Sequence, residues 1–393
     1  MKRIRALRII TRYIKGGADR NVFHSINALL KTGRYEIDLI AGRDSDRDFL
    51  KQFNNVRIHL LDSLVRDISP MNDLKALWQI YRIVKQNRYR IVHTHTAKAG
   101  FLGRIAAQKA NAPCVIHGVH GVTFHPNLPW MRNQLYMALE RWAGRRTDCF
   151  VSVGKELTQV YLEAGVGRPE QYRLIRSGME LERFIEAGQN QAQIRSEMRR
   201  SLGFENDHIL IGLVGRLEPP KGCHAFLDAA AKLSQTRPNA RFLVVGDGSL
   251  RGQLQERARR NGLHKTTRFA GYRNDIHHVM ASLDALAICS TIEGLPQVAV
   301  QAAAVGIPIA AFRAVGVSEA VKDGVNGYTV EIGDTEALTE RLSEIAADLE
   351  TARKMGLKGR KIVGSEWTIA CQQAKTVELY EEMERRFLAA DDT

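Results

Sequence analysis

Thirteen short apolar runs, set apart by amphipathic stretches of helical period, constrain this chain more than any other feature. Seven fall in the first half: Leu7–Ile10, Ile37–Ala41, Val56–Leu61, Ile91–His95, Cys114–Val119, Cys149–Val153 and Arg173–Arg176. Helical patterns such as Val22–Leu30, Leu74–Lys85 and Leu135–Ala143 lie between them. Strands alternating with helices predict a parallel, doubly wound α/β sheet. The pattern then restarts with Ile209–Val214, Arg241–Val245, Thr267–Ala270, Ala285–Ile288, Ile307–Ala311 and Tyr328–Val330, and with helices Ala225–Leu233, Leu250–Asn261 and Gln297–Ala304. Two Rossmann-like domains in tandem are expected, 1–183 and 184–367. This suits a chain of 393 residues, since single cores stop growing well below that length. The polar stretch Ala187–Arg200 lies near the junction, and an amphipathic segment from Thr368 closes the chain. The expectation is that 368–393 packs back on the first domain and that the domains face each other across a cleft. In open α/β sheets, ligands bind beyond the carboxyl ends of the strands.

Charge is unevenly placed. Residues 1–183 hold 31 Lys and Arg against 16 Asp and Glu, and the remainder holds 26 against 27. The whole excess of +14 therefore sits in the first half. Such asymmetry suggests attraction to an anionic membrane surface or another polyanion. The plain alternative is a solvated basic surface. Five scattered cysteines with no CxxC spacing read as reduced thiols, not as a disulfide framework or zinc site. The opening MKRIRALRIITRYIKGG is broken by Arg and Lys and lacks a signal-peptide apolar region. No apolar run reaches the roughly 18–20 residues that span a bilayer. A cytoplasmic protein is expected.

The chemistry-bearing residues fall just past strand ends. Gly16-Gly17-Ala18-Asp19 is a strand-to-helix turn where glycine allows close backbone approach. Alone it is no more than a tight turn, and it lacks GxGxxG. His93-Thr94-His95-Thr96 puts two imidazoles on one side of a strand, but no HExxH and no nearby carboxylate completes a metal site. Polar strand-end histidines are the favoured reading. His120 lies in the glycine-flanked turn Gly118–Gly121.

Val214–Gly222, VGRLEPPKG, follows an apolar run and precedes a helix. It puts Gly215, Arg216 and Lys221 on one loop. An Arg fork and a mobile Lys beside a helix N-terminus suit a diphosphate. Two surface cations are the plain alternative. Gly246-Asp247-Gly248 is a further turn, and Gly271–Asp275, with Arg273, a further loop. Glu293–Gln301, EGLPQVAVQ, offers a carboxylate beside the exposed backbone of Gly294 and Leu295 ahead of a helix. A carboxylate there can hold sugar hydroxyls next to a phosphate, so the two segments together suggest a nucleotide-sugar site.

With these residues in order along the chain, the sequence resembles the retaining glycosyltransferases of family 4, which have the GT-B fold. The resemblance covers nearly the whole length. It rests on GGAD, HTHTAKAGFLGR, GVHGVTFH, IRSGMELERF, VGRLEPPKG, VVGDGSL and EGLPQVAVQAAAVGIPIAA. It implies roles at matching positions. Gly16 and Gly17 lie near the donor phosphates, and His120 lines the reaction centre. Arg216 and Lys221 clamp the diphosphate. Glu293 holds donor-sugar hydroxyls, with the backbone of Gly294 and Leu295 close by, and Gly215, Gly246 and Arg273 belong to the donor site. Position 301 meets the ribose. Two departures stand out. Gln301 replaces a second glutamate, and an amide still pairs with ribose hydroxyls. Ser177 and Glu180 stand where Asn and Asp are common.

The resemblance implies transfer of a sugar, UDP-linked by preference, to an acceptor hydroxyl with retention. The acceptor expected is a lipid-linked glycan at the inner membrane face. No DxD-type pair appears where a metal would be needed, so no metal or other cofactor is expected. The alternatives are a soluble-acceptor transferase, a non-catalytic nucleotide-binding GT-B protein, and a nucleic-acid-binding protein. Against the last, no recognised motif is present and the basic residues are dispersed, so no nucleic-acid partner is expected.

Overall fold

All thirteen apolar runs become strands, and the strands sort into two separate parallel sheets. The computed structural model describes residues 3–14, 16–125 and 128–387. Contacts divide the chain into one unit of Met1–Met179 with Glu366–Thr393, and a second of Glu180–Ser365.

In the first unit the strands are β1 (Ile4–Ile10), β2 (Tyr35–Gly42), β3 (Arg57–Leu61), β4 (Ile91–His95), β5 (Cys114–Val119), β6 (Cys149–Ser152) and β7 (Tyr172–Leu174). Their order is β3-β2-β1-β4-β5-β6-β7. Side chains alternate faces along a strand. In β1, Leu7 and Ile9 pack with Ile80, Val84 and Leu102 on one face. Ala6 and Ile10 pack with Val22, Ile26, Leu379 and Tyr380 on the other. Arg8 shares the Ala6–Ile10 face by the same alternation and has no accessible surface. The charge-broken N-terminal run is thus an interior strand of the sheet, between β2 and β4.

The helix Ile369–Phe387 packs on this unit beside the helix Gly17–Lys31. Gln372 is buried and joins three segments: its amide donates to the Asn21 carbonyl and accepts from the Gly178 N–H, both at 2.9 Å. Ser177, one of the unusual junction residues, accepts from Asn21 Nδ2 at 3.1 Å. Residues 388–393, the end of the expected closing segment, lie outside the described residues.

In the second unit the strands are β8 (Ile209–Val214), β9 (Ala240–Val245), β10 (Thr267–Gly271), β11 (Ala285–Ile288), β12 (Ile309–Phe312) and β13 (Gly327–Val330), ordered β10-β9-β8-β11-β12-β13. Ile211, Leu213, Phe226, Phe242 and Leu338 are among its buried core. The polar Ala187–Arg200 stretch is mostly helix, within Glu182–Gln189 and Gln191–Leu202. Arg199, wholly buried, explains its polarity. It donates to the carbonyls of Asn206, His208 and Ser282 and pairs with Asp284 at 2.6 Å.

Candidate active site

The second sheet changes direction between β8 and β11. β9 and β10 extend it to one side, β12 and β13 to the other. The segments leaving β8 and β11 therefore part, opening a crevice at their carboxyl ends. A pocket lies there, lined by Gly215, Arg216, Lys221, Ser290, Glu293 and Val298 among others.

Local sequence explains how Lys221 arrives. Pro219 and Pro220 start a single 3₁₀ turn, Pro219–Lys221, with fixed φ. Gly222 then reverses the chain at φ +60 and leads into the helix Cys223–Thr236. A β-carbon at Gly222 would collide with the Cys289 carbonyl oxygen, so only glycine lets this loop lie against the end of β11. Lys221 Nζ donates to Glu293 Oε1 at 2.5 Å, with the two side chains 26 % and 10 % exposed. Arg216 is exposed and, among the described residues, has no carboxylate partner. The pocket thus holds one carboxylate and two cations, Lys221 paired to it and Arg216 with its guanidinium fork open. Such a set suits an anion attached to a polyhydroxyl group.

The other predicted residues of this unit divide. Gly246 follows β9 with its Cα packed on the Gly215 backbone. Gly294 is buried, and its carbonyl faces Gly316. Leu295 is half-buried, and Pro296 precedes the helix Gln297–Val305. Gln301 sits three residues beyond Val298, hence on the same helix face. It is half-buried and not among the lining residues. Nor is Arg273 brought in: its guanidinium grips Asp275 at 2.8 and 2.5 Å.

In the first unit, Gly16 precedes the helix Gly17–Lys31, and Asp19 Oδ2 accepts the Gly16 N–H at 3.0 Å. That carboxylate already occupies one donor of the turn. His120 is half-buried past β5, with Nε2 at 2.9 Å from His95 Nδ1. His93 and His95 are more than polar strand ends. Both are buried around Arg8, whose Nη1 lies 2.5 Å from His93 Nδ1 and 3.2 Å from His95 Nε2. Burial, reinforced by the Arg8 charge, lowers the pKa of His120 to about 4 and holds His93 and His95 well below the ordinary histidine value. All three imidazoles are neutral at physiological pH. Sequence reasoning passed over Arg8. Its signal was an arginine inside the apolar run Leu7–Ile10, level with His93 in the neighbouring strand.

Comparison with known proteins identifies the family and the fold. Residues 15–183 match the family described as Glycosyltransferase Family 4, and residues 194–362 match Glycosyl transferases group 1. The chain is 30 % identical over 324 residues to the Escherichia coli UDP-Gal:alpha-D-GlcNAc-diphosphoundecaprenol alpha-1,3-galactosyltransferase, spanning 81 % of this chain and 82 % of that one. This chain belongs to the family 4 glycosyltransferases. It is also 24 % identical to the Staphylococcus aureus capsular polysaccharide biosynthesis glycosyltransferase CapM, over 82 % of this chain and 84 % of the other. The fold matches Anabaena Alr3699/HepE, solved in complex with UDP-glucose, at a TM-score of 0.77 and 23 % identity, covering 96 % and 100 % of the two chains. The GT-B fold is thereby established for the transferase.

Two surface helices of the transferase carry exposed apolar residues. On Pro70–Asn87, Ala76, Ile80 and Val84 are buried, while Met71, Leu74 and Trp78 are exposed and Arg82 stacks over Trp78 at 4.6 Å. On Trp130–Gly144, Trp130 and Met131 are 74 % and 77 % exposed, Leu135 is exposed too, and Arg146 stacks over Trp142 at 4.3 Å. Each helix has one acidic residue. Asp73 is tied to Lys98 and Glu140 to Arg104, at 2.6 and 2.7 Å. The exposed charges of both helices are therefore basic. No helix among the described residues is long and apolar enough to cross a membrane.

Proposed function

We propose that this transferase moves a sugar from a UDP-sugar to an acceptor hydroxyl on a lipid-linked glycan, with retained anomeric configuration. The observation that carries the reading is the Lys221–Glu293 pair beside the open fork of Arg216, at the direction change of the second sheet. In this reading the diphosphate takes Arg216 and draws Lys221 onto its β-phosphate, and Glu293 is left to accept from sugar hydroxyls. The bond from the anomeric carbon to UDP breaks as the bond to the acceptor oxygen forms on the same face. The acceptor's proton passes to a leaving phosphate oxygen. No side-chain nucleophile takes part. Fixed cations aimed at the developing anion are commonly the largest catalytic term. Here they replace a metal, so no Mg²⁺ is needed. Gly16 and Gly17 would serve the donor phosphates, His120 the sugar, the backbone of Gly294 and Leu295 the sugar and phosphate, and Gln301 the ribose.

Support for UDP comes from the UDP-galactose-using relative and the UDP complexes of HepE. The same relative acts on a diphosphoundecaprenol-linked sugar, which favours a lipid-linked acceptor. The two apolar, basic helix faces suit the surface of an anionic leaflet, where tryptophan settles at headgroup level and cations meet lipid phosphate. These features support a peripheral position on the cytoplasmic face of the membrane.

One assay addresses these points: turnover of UDP-, GDP- and ADP-sugars in excess EDTA, with flotation on anionic and neutral vesicles. UDP-sugar turnover is expected to persist in EDTA. Flotation should be stronger with anionic vesicles and weaken as salt rises past about 0.15 M. A complete loss restored by Mg²⁺ would overturn the metal-free reading. Equal flotation on both vesicle types would remove the membrane.

A further inference from the structure

The buried Arg8 leads somewhere. A guanidinium has donors only, so any ring nitrogen facing it must accept. Arg8 Nη1 faces His95 Nε2 at 3.2 Å. His95 Nε2 is therefore bare, and a neutral His95 carries its proton on Nδ1. That Nδ1–H points at His120 Nε2, 2.9 Å away, which must accept in turn. The remaining nitrogen of His120, Nδ1, then holds its single proton.

We propose that Arg8 acts through His95 to fix His120 as a neutral imidazole with its proton on Nδ1, so that His120 serves the reaction as a hydrogen-bond donor and never as a base at Nε2. Arg8 and His95 are thus positioning residues.

The surroundings are built for this chain of bonds. Gly118 flanks the His95–His120 contact: a β-carbon there would sit 2.6 Å from His95 Nδ1 and 3.0 Å from His120 Nε2. A side chain at 118 would push the two rings apart. Arg8 is held from its other side by the Tyr380 ring, 5.1 Å from the guanidinium carbon, and its Nη1 also reaches His93 Nδ1. Thr96, just past His95, has φ +64, an outlier for a β-branched residue, and its hydroxyl meets that of Thr11 at 2.8 Å. Strain of this kind persists where surrounding structure over-determines a conformation. No carboxylate pairs with Arg8 among the described residues, so its donors stay available to the imidazoles. In free histidine the Nε2–H tautomer is the commoner form. The relay selects the other.

The role in transfer rests on the proposed function of His120, but the tautomer does not. The test is ¹⁵N spectroscopy of the full chain labelled in histidine, at neutral pH. His120 is assigned by the signals lost in His120→Gln. The expected result is a protonated Nδ1 and a bare Nε2. Arg8→Met should move the His120 signals toward a mixture in which Nε2 shares the proton. Its kcat should fall by about tenfold with donor KM within about twofold, a modest loss beside the ~10⁴ that a wrong tautomer can cost a serine protease. Arg8→Lys, still a donor, should recover part of both. A wild-type His120 protonated on Nε2 overturns the proposal, and it needs no variant to fold. So does an Arg8→Met protein with an unchanged His120 tautomer. A shifted tautomer with unchanged kcat would confirm the relay and overturn the role of His120 in transfer.

Discussion

Arg216→Ala and Lys221→Ala are each expected to lower kcat/KM by about 10²–10³-fold, the loss seen when one preorganised donor to a developing anion is removed. The two variants should differ in detail. Arg216 is exposed and has no carboxylate partner among the described residues, so its removal leaves the fold untouched and the loss is purely one of phosphate binding. Lys221 is bonded to Glu293, so its removal also strands a largely buried carboxylate. A fully buried pair loses about 3–5 kcal/mol when one partner goes. Here Lys221 is a quarter exposed, and solvent screening keeps the stability cost near 1 kcal/mol. Steady-state kinetics beside a thermal melt separates the effects. A variant of either residue that keeps near-wild-type kcat/KM would dismantle the clamp.

Glu293→Gln should have the second largest effect, and of a different kind. The amide still accepts a hydrogen bond but no longer holds Lys221 by charge. It also binds sugar hydroxyls as a neutral partner, where a charged acceptor is worth about twice as much. The fall should appear in kcat, on the order of 10²-fold for a loss of about 2–3 kcal/mol, and should vary with the sugar while UDP affinity changes little. Lys221→Ala, by contrast, should hurt every donor alike. Comparing both variants across two UDP-sugars reads the difference. Equal losses for all sugars in Glu293→Gln would place that carboxylate on the nucleotide instead.

Why the Arg216–Lys221 loop was legible and the cluster of Arg8 with the histidines was not is a matter of range. Arg216, Lys221 and their glycines lie within one short loop, and their meaning follows from a strand, two prolines and a helix start in direct succession. Strand positions were legible for the same reason. Cys114–Val119 and Ile209–Val214 are apolar runs that any parallel sheet would bury. Arg8 lies in β1, His95 ends β4 and His120 follows β5, and only the β1–β4–β5 neighbourhood brings the three together. Nothing local marks such a set. Arg8 read as a charge interrupting an apolar run, and His93 and His95 read as polar strand ends, apart from His120 in its glycine-flanked turn. Arg199 is a similar case. Its stretch looked like a polar linker because arginine reads as solvent-exposed, yet it is fully buried against backbone carbonyls and Asp284. Arg273 teaches the reverse. It looked available on a loop, and a neighbour two residues away, Asp275, takes its fork.

The helix faces add a point about surfaces. A helical pattern such as Leu74–Lys85 is compatible with a side packed on the sheet and with a side left to solvent. The structure gives both: a buried Ala76–Ile80–Val84 side and an exposed Met71–Leu74–Trp78 side on the same helix.

The central claim is that the β8–β11 crevice receives the donor diphosphate. A crystal structure of the full chain with UDP measures this most directly. The account predicts the β-phosphate within hydrogen-bond distance of both the Arg216 guanidinium and Lys221 Nζ, with the Lys221–Glu293 bond lengthened or broken as the lysine turns to the phosphate. UDP bound with its diphosphate away from both cations, the Lys221–Glu293 pair intact, would contradict it.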